Sequence, residues 1–236
     1  MKKTTKFIVA LTLFMAFIFG SLTYAQAAQQ SNITVETLPG PSVSQQVVTT
    51  LRHSWPWYVV RGSGIIAALS MIILMLSGIG QITGKTFRFL DPLTAWASHR
   101  ALGIMFGVSL LLHVVGLLFD TYLKFTILDV LIPWRSSFKP VSIGSIHLGS
   151  LPIALGIIAF YVCIAIVISS IIWISKKARL WKILHVLSYE AMVMVFFHVL
   201  LIGTDFDTGL LKILWILSGI IVGLLSLQRS WRSFTA

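Results

Sequence analysis

Residues 98–116 read SHRALGIMFGVSLLLHVVG, and residues 183–203 read ILHVLSYEAMVMVFFHVLLIG. Both are almost unbroken apolar runs with a histidine near each end: His99 and His113 in the first, His185 and His198 in the second. Runs of about 18–25 apolar residues read as bilayer-spanning helices. Ionisable side chains are costly inside such spans and mark function by default. The chain makes this costly arrangement twice.

The rest of the chain fits the same setting. Of its 236 residues, 57% are apolar and only 11% charged, against about 25% charged in soluble domains. Five apolar spans are predicted, at about 56–82, 94–119, 151–174, 181–202 and 210–227. The expected fold class is an all-α polytopic membrane bundle. The net charge of +11 invites a nucleic-acid reading. The basic residues sit at the ends of apolar runs, however, where they set topology, so the lipid bilayer is the expected partner and nucleic acid is not. Cys163 is the single cysteine. It excludes an intramolecular disulfide or a cysteine-based metal motif and reads as a small buried residue.

At the N-terminus, Lys2, Lys3 and Lys6 precede an apolar run over 7–22 and the small-x-small site Ala25-Gln26-Ala27. This is the pattern of a secretory signal peptide, residues 1–27. The alternative is an uncleaved first membrane helix, which would make six spans. Residues 28–55 are polar and read as an extended or disordered extracytoplasmic segment. Residues 56–228 form the membrane domain and 229–236 a cytoplasmic tail. The loop with Lys85 and Arg88, the run SKKARLWK at 175–182 and the tail with Arg229 and Arg232 carry the basic excess. The positive-inside rule places these in the cytoplasm and the N-terminal segment outside. The expected location is the cell membrane.

Spans two and four run in the same direction, so the histidines match in depth. His99 and His185 lie near the inner face, His113 and His198 near the outer. The within-helix separations are about 21 and 20 Å at 1.5 Å per residue, inside a hydrocarbon core of about 30 Å. Neutral imidazoles from facing helices can ligate haem iron, and helix bundles build such sites from inward-facing side chains. Gly103 and Gly107 would let a flat macrocycle approach the backbone. The competing reading is that each histidine only hydrogen-bonds a neighbouring helix; four histidines matched by depth argue against it. One feature resists. Thirteen residues separate His185 from His198, which leaves them about 140° apart on an ideal helix. Helix tilt or a local change of winding is needed, and no sequence feature locates it.

The segments HRALG…LLLH (99–113) and WKILHVLSYEAMVMVFFHVLLIGTD (181–205) resemble the ferric reductase-like transmembrane domain, a family that includes NADPH oxidases, ferric reductases and the haem-b subunit of a bacterial periplasmic methionine sulfoxide reductase. The resemblance covers about residues 56–228. It implies two haems b, with His99 and His185 on the inner iron and His113 and His198 on the outer. The C-terminal flavin and nicotinamide domain of the oxidases is not seen, and no Gly-rich nucleotide loop occurs. The expected electron donor is therefore quinol or a separate flavoprotein.

Arg61 and Arg100 are candidates for haem propionates, because guanidinium suits carboxylates; topology and snorkelling explain them equally. Glu190, between the span-four ligands, suggests a proton or quinol role or a hydrated pairing role. Asp205 and Asp207 read as turn residues with Gly203 and Gly209, with attraction of a ferric substrate as the sharper alternative. His147 and His53 read as loop residues, with a substrate-side role as the alternative, weaker for His53. Trp55, Trp57, Trp96, Trp134 and Trp181 sit at span ends as an aromatic belt. The expected function is a bis-haem cytochrome b moving electrons across the bilayer to ferric iron, oxygen or an extracytoplasmic redox partner. Two alternatives remain: a haem-bearing subunit that only relays electrons to a partner reductase, and a haem-free transporter or anchor. Unbroken histidine-bearing spans speak against the transporter.

Overall fold

Proline, glycine and small polar clusters punctuate the chain where its helices begin and end. The computed structural model describes residues 43–235 except 121, 139–140 and 144–145; side chains are described over 54–229, except at those positions and at 142, 143 and 146. The expected signal peptide lies outside the described residues. Two compact units divide between Arg52 and His53. The first is described only as the helical turns 43–52, and the second holds every span.

Helix α1 is Val43–Ile82, and its stretch Ser54–Ile82 is long and apolar enough to cross a membrane. Residues 43–55 are therefore helical rather than extended. Val43, Val47, Val48 and Leu51 recur at helical spacing with neither Gly nor Pro among them, a period outweighed in the sequence reading by the polar composition. After a turn through Gly84, whose φ of 73° suits glycine, helix α2 runs Pro92–Leu117. Its start is chemically specified. Asp91 accepts the Thr94 amide at 2.9 Å and Pro92 opens the first turn. Helix α3 (Ile127–Leu131) begins on a capping box between Thr126 and Asp129. A small antiparallel hairpin, β1 (Val141–Ile143) and β2 (Ile146–Gly149), leads into α4 (Leu151–Ile172).

Span four, Ala178–Ile202, consists of two helices, α5 (Ala178–Val186) and α6 (Ser188–Ile202). At the joint the Leu187 amide bonds the Leu184 carbonyl, three residues back, at 3.1 Å, and α-type bonding resumes with Ala191 to Leu187 at 2.9 Å. This corrects the expectation of unbroken histidine-bearing spans. It also places one tightening of the winding between His185 and His198: a 3₁₀ turn rotates the chain about 20° further per residue than an α turn, so over three residues it recovers about 60° of the roughly 140°. Neither Gly nor Pro marks the joint, so the sequence concealed it. A single tightened turn is not the Gly/Pro-broken helix typical of transporters. Helix α7, Gly209–Thr235, supplies the fifth span, Gly209–Arg229.

The fold is all-α apart from the hairpin, and five apolar helices make this a multi-pass membrane protein. Helix α4 packs most extensively on α6. There Ala154 and Ala191 are wholly buried, and small residues let helix backbones approach where the bilayer removes any hydrophobic drive to associate. Helix α7 is pinned by buried Trp215, whose indole N–H donates to the Phe196 carbonyl at 3.2 Å and whose ring stacks on Phe196 at 5.8 Å. Leu111, Leu112, Ile171, Leu214 and Leu217 stay exposed, as side chains facing lipid would.

Candidate functional site

The four histidines fall into two layers, and each layer takes one imidazole, with the group that orients it, from each of two helical hairpins. In the outer layer, His113 on α2 lies against α1, and its Nδ1 is 2.9 Å from the Val60 carbonyl. His198 on α6 lies against α4, with Nδ1 2.8 Å from the Pro152 carbonyl. A carbonyl only accepts, so each Nδ1 carries the proton and each Nε2 keeps its lone pair. Glycine admits both rings. A Cβ on Gly64 would come within 2.9 Å of the His113 ring, and one on Gly156 would overlap the His198 ring.

In the inner layer, His99 and His185 face each other with ring centroids 6.2 Å apart. Metal–imidazole bonds are about 2 Å long, so one metal ion fits between two rings at this spacing. His99 Nδ1 is 2.7 Å from Ser77 Oγ on α1, and Gly78 beside it leaves the ring room. His185 Nδ1 is 3.4 Å from Ser170 Oγ on α4, and Trp181 Nε1 donates to the same hydroxyl at 3.0 Å. Trp181 also packs on His185 at 5.1 Å, so it belongs to this layer as well as to a belt.

The two hairpins repeat one another in contacts. Val60, Gly64 and Ser77 on α1 serve His113 and His99; Pro152, Gly156 and Ser170 on α4 serve His198 and His185. Sequence reading missed these six positions. A signal existed, since Gly64 and Gly78, and Gly156 and Ser170, are spaced fourteen residues apart like His99 and His113.

His113 and His198 open on a shared cavity of about 370 Å³ lined by Ile65, Ala68, Phe106 and Ile157, a size within the range of small-molecule and cofactor sites. Cys163 also lines it, buried and unbonded as expected. Asp205, read as a turn residue, forms a two-pronged ion pair with Arg61 at the cavity edge, with Arg61 Nε donating at 2.9 Å. Arg61 also lies 4.1 Å over the Trp57 ring. Asp120, not singled out in the sequence, is buried there too. Its Oδ1 accepts the Tyr122 amide at 2.7 Å, while Oδ2 has no partner among the described residues.

Other expectations fare differently. A Cβ on Gly107 would meet the Val167 side chain at 3.1 Å, while one on Gly103 would reach only Leu74, at 4.0 Å. Arg100 is exposed and sits 5.5 Å from the Trp96 ring. Glu190 is exposed in the first turn of α6, where a carboxylate complements the helix dipole. Asp207 lies in the turn before α7, where its carbonyl accepts from Lys212 at 2.9 Å. His147 pairs in register with Ser142 in the hairpin, and the side chain of His53 lies outside the described set. Among the described residues no group of three or more His, Cys, Asp or Glu could hold a bare metal ion. Histidines brought together two at a time instead suit a metal whose other ligands arrive with a macrocycle.

Comparison with curated proteins and with solved structures returned no match. The family model of the ferric reductase like transmembrane component matches residues 64–196. The match contains His99, His113 and His185, and ends two residues before His198. It covers more than half of the chain, which therefore belongs to the ferric reductase like transmembrane component family.

Proposed function

We propose that this protein is a bis-haem b cytochrome that carries electrons across the bilayer to an extracytoplasmic acceptor. The observation that carries the reading is the doubled histidine layer. His99 and His185 face each other, His113 and His198 line one shared cavity, and at least His113 and His198 present an unprotonated Nε2 because their Nδ1–H groups are spent on carbonyls. Haem iron, when bound, supplies reversible one-electron chemistry. The protein's part is to fix the ring orientations, exclude water with apolar side chains and hold the two layers apart.

His99 and His185 would hold the inner haem, His113 and His198 the outer. The basic ends of the spans face the cytoplasm by the positive-inside rule, so electrons enter near His99 and leave near His113. Arg61 commits two of its nitrogens to Asp205 and retains N–H groups for an outer propionate. Arg100, at the opposite end, would serve an inner one. The donor would be quinol or a separate flavoprotein, and the acceptor ferric iron, oxygen or a redox partner.

Reconstitution into liposomes tests this reading. With reductant sealed inside and ferricyanide outside, the haem-loaded protein should bleach the external dye, and vesicles carrying His113→Ala should not. Equal rates with and without protein would refute transmembrane transfer. Reducible haem with turnover only on addition of a soluble partner would select the relay-subunit alternative.

A further inference from the structure

We propose that Ser77 is a positioning residue for the inner site: its hydroxyl oxygen accepts a hydrogen bond from His99 Nδ1–H and so leaves Nε2 free to ligate iron. The inference rests on the haem reading above and assigns a role to a side chain outside the ligand set.

Ser77 Oγ lies 3.1 Å from the Leu74 carbonyl, one turn back on its own helix, and 2.7 Å from His99 Nδ1. A serine hydroxyl has one proton and two lone pairs. The Leu74 carbonyl can only accept, so the hydroxyl proton goes there. Oγ then accepts from the imidazole, which must carry its proton on Nδ1. Without Ser77 nothing selects that tautomer, because no other hydrogen-bond partner of His99 occurs among the described residues.

His99 differs from the other three ligands in this respect. His113 and His198 are oriented by backbone carbonyls, which no side-chain substitution removes. His185 has a hydroxyl partner at 3.4 Å that already accepts the Trp181 N–H. Among the described residues, the short Ser77–His99 bond is therefore the one strong orienting contact in the site that a single side chain supplies. An acceptor on the distal N–H of a ligating histidine fixes its orientation and raises its basicity, and losing such a partner costs about 10–100-fold in metal affinity. A more basic imidazole also favours ferric over ferrous iron, so removing the acceptor raises the reduction potential.

The test compares Ser77→Thr with Ser77→Val in the full-length, haem-loaded protein. The two side chains have nearly the same shape and differ by the hydroxyl. Haem content, equilibrium redox titration and the low-spin ferric EPR signal are read for both. In Ser77→Val, one of the two haems should bind at least about tenfold more weakly, and its potential should shift upward while the other stays put. Ser77→Thr should match the unsubstituted protein. Two haems with unchanged potentials in Ser77→Val would overturn the assignment and leave the haem reading standing. Equal losses in both variants would show a packing role and also overturn it. Absence of haem from the unsubstituted protein would remove the reading on which it rests. If Ser77→Val does not accumulate, Ser77→Ala gives the same comparison with less bulk.

Discussion

Gly156 lies so close to His198 that a methyl group on it would overlap the imidazole ring. The same contact recurs between Gly64 and His113, where the nearest approach would be 2.9 Å, and more loosely between Gly78 and His99, at 3.4 Å. These distances predict a graded series. Gly156→Ala should displace His198 and lower outer-haem affinity by about tenfold or more, as loss of ligand orientation does. Gly64→Ala should do so less, and Gly78→Ala should be nearly silent because 3.4 Å is ordinary contact. Haem-to-protein ratios on the three variants check the order. A Gly78→Ala defect exceeding that of Gly156→Ala would contradict it.

The Arg61–Asp205 pair closes one edge of the outer cavity, with the two side chains 26% and 9% exposed. Removing one partner of a buried pair costs about 3–5 kcal/mol. Partial exposure of Arg61 lowers this to on the order of 2 kcal/mol. Asp205→Asn and Arg61→Gln should each lower the thermal unfolding midpoint in detergent. The double variant should cost less than the sum of the two, which is the signature of a direct coupling.

The α3 capping box is pH-sensitive. Thr126, through its hydroxyl and amide, holds the Asp129 carboxyl below its ordinary value of 3.8. A depressed carboxylate stabilises the fold above the unfolded value, and that contribution is lost as pH falls through the lower folded value. Hydrogen exchange at the Asp129 and Val130 amides should therefore stay slow, relative to intrinsic rates, down to about pH 4 and quicken below it. In Asp129→Asn that acid-dependent step should vanish.

The five spans were legible because their signal is composition over about twenty residues, which no tertiary contact overrides in lipid. The histidines were legible because an ionisable group in such a run has no ordinary reason to be there. The groups that orient them were not. Val60 and Pro152 act through backbone carbonyls, which every residue has. Ser77 and Ser170 are common in membrane helices, and Gly64 and Gly156 gain meaning only once a ring is seen against them. The Arg61–Asp205 pair joins residues 144 apart, beyond any local pattern. The turn at Leu187 carries no Gly or Pro, so only the spacing between His185 and His198 betrayed it.

The central claim is tested most directly by counting haem. A pyridine haemochrome assay and a reduced-minus-oxidised spectrum on the purified protein, repeated for His99→Ala and His113→Ala, suffice. The account predicts two haems b per chain, with one lost in each variant. Protein produced with ample haem that binds none, or variants that retain both, would contradict it.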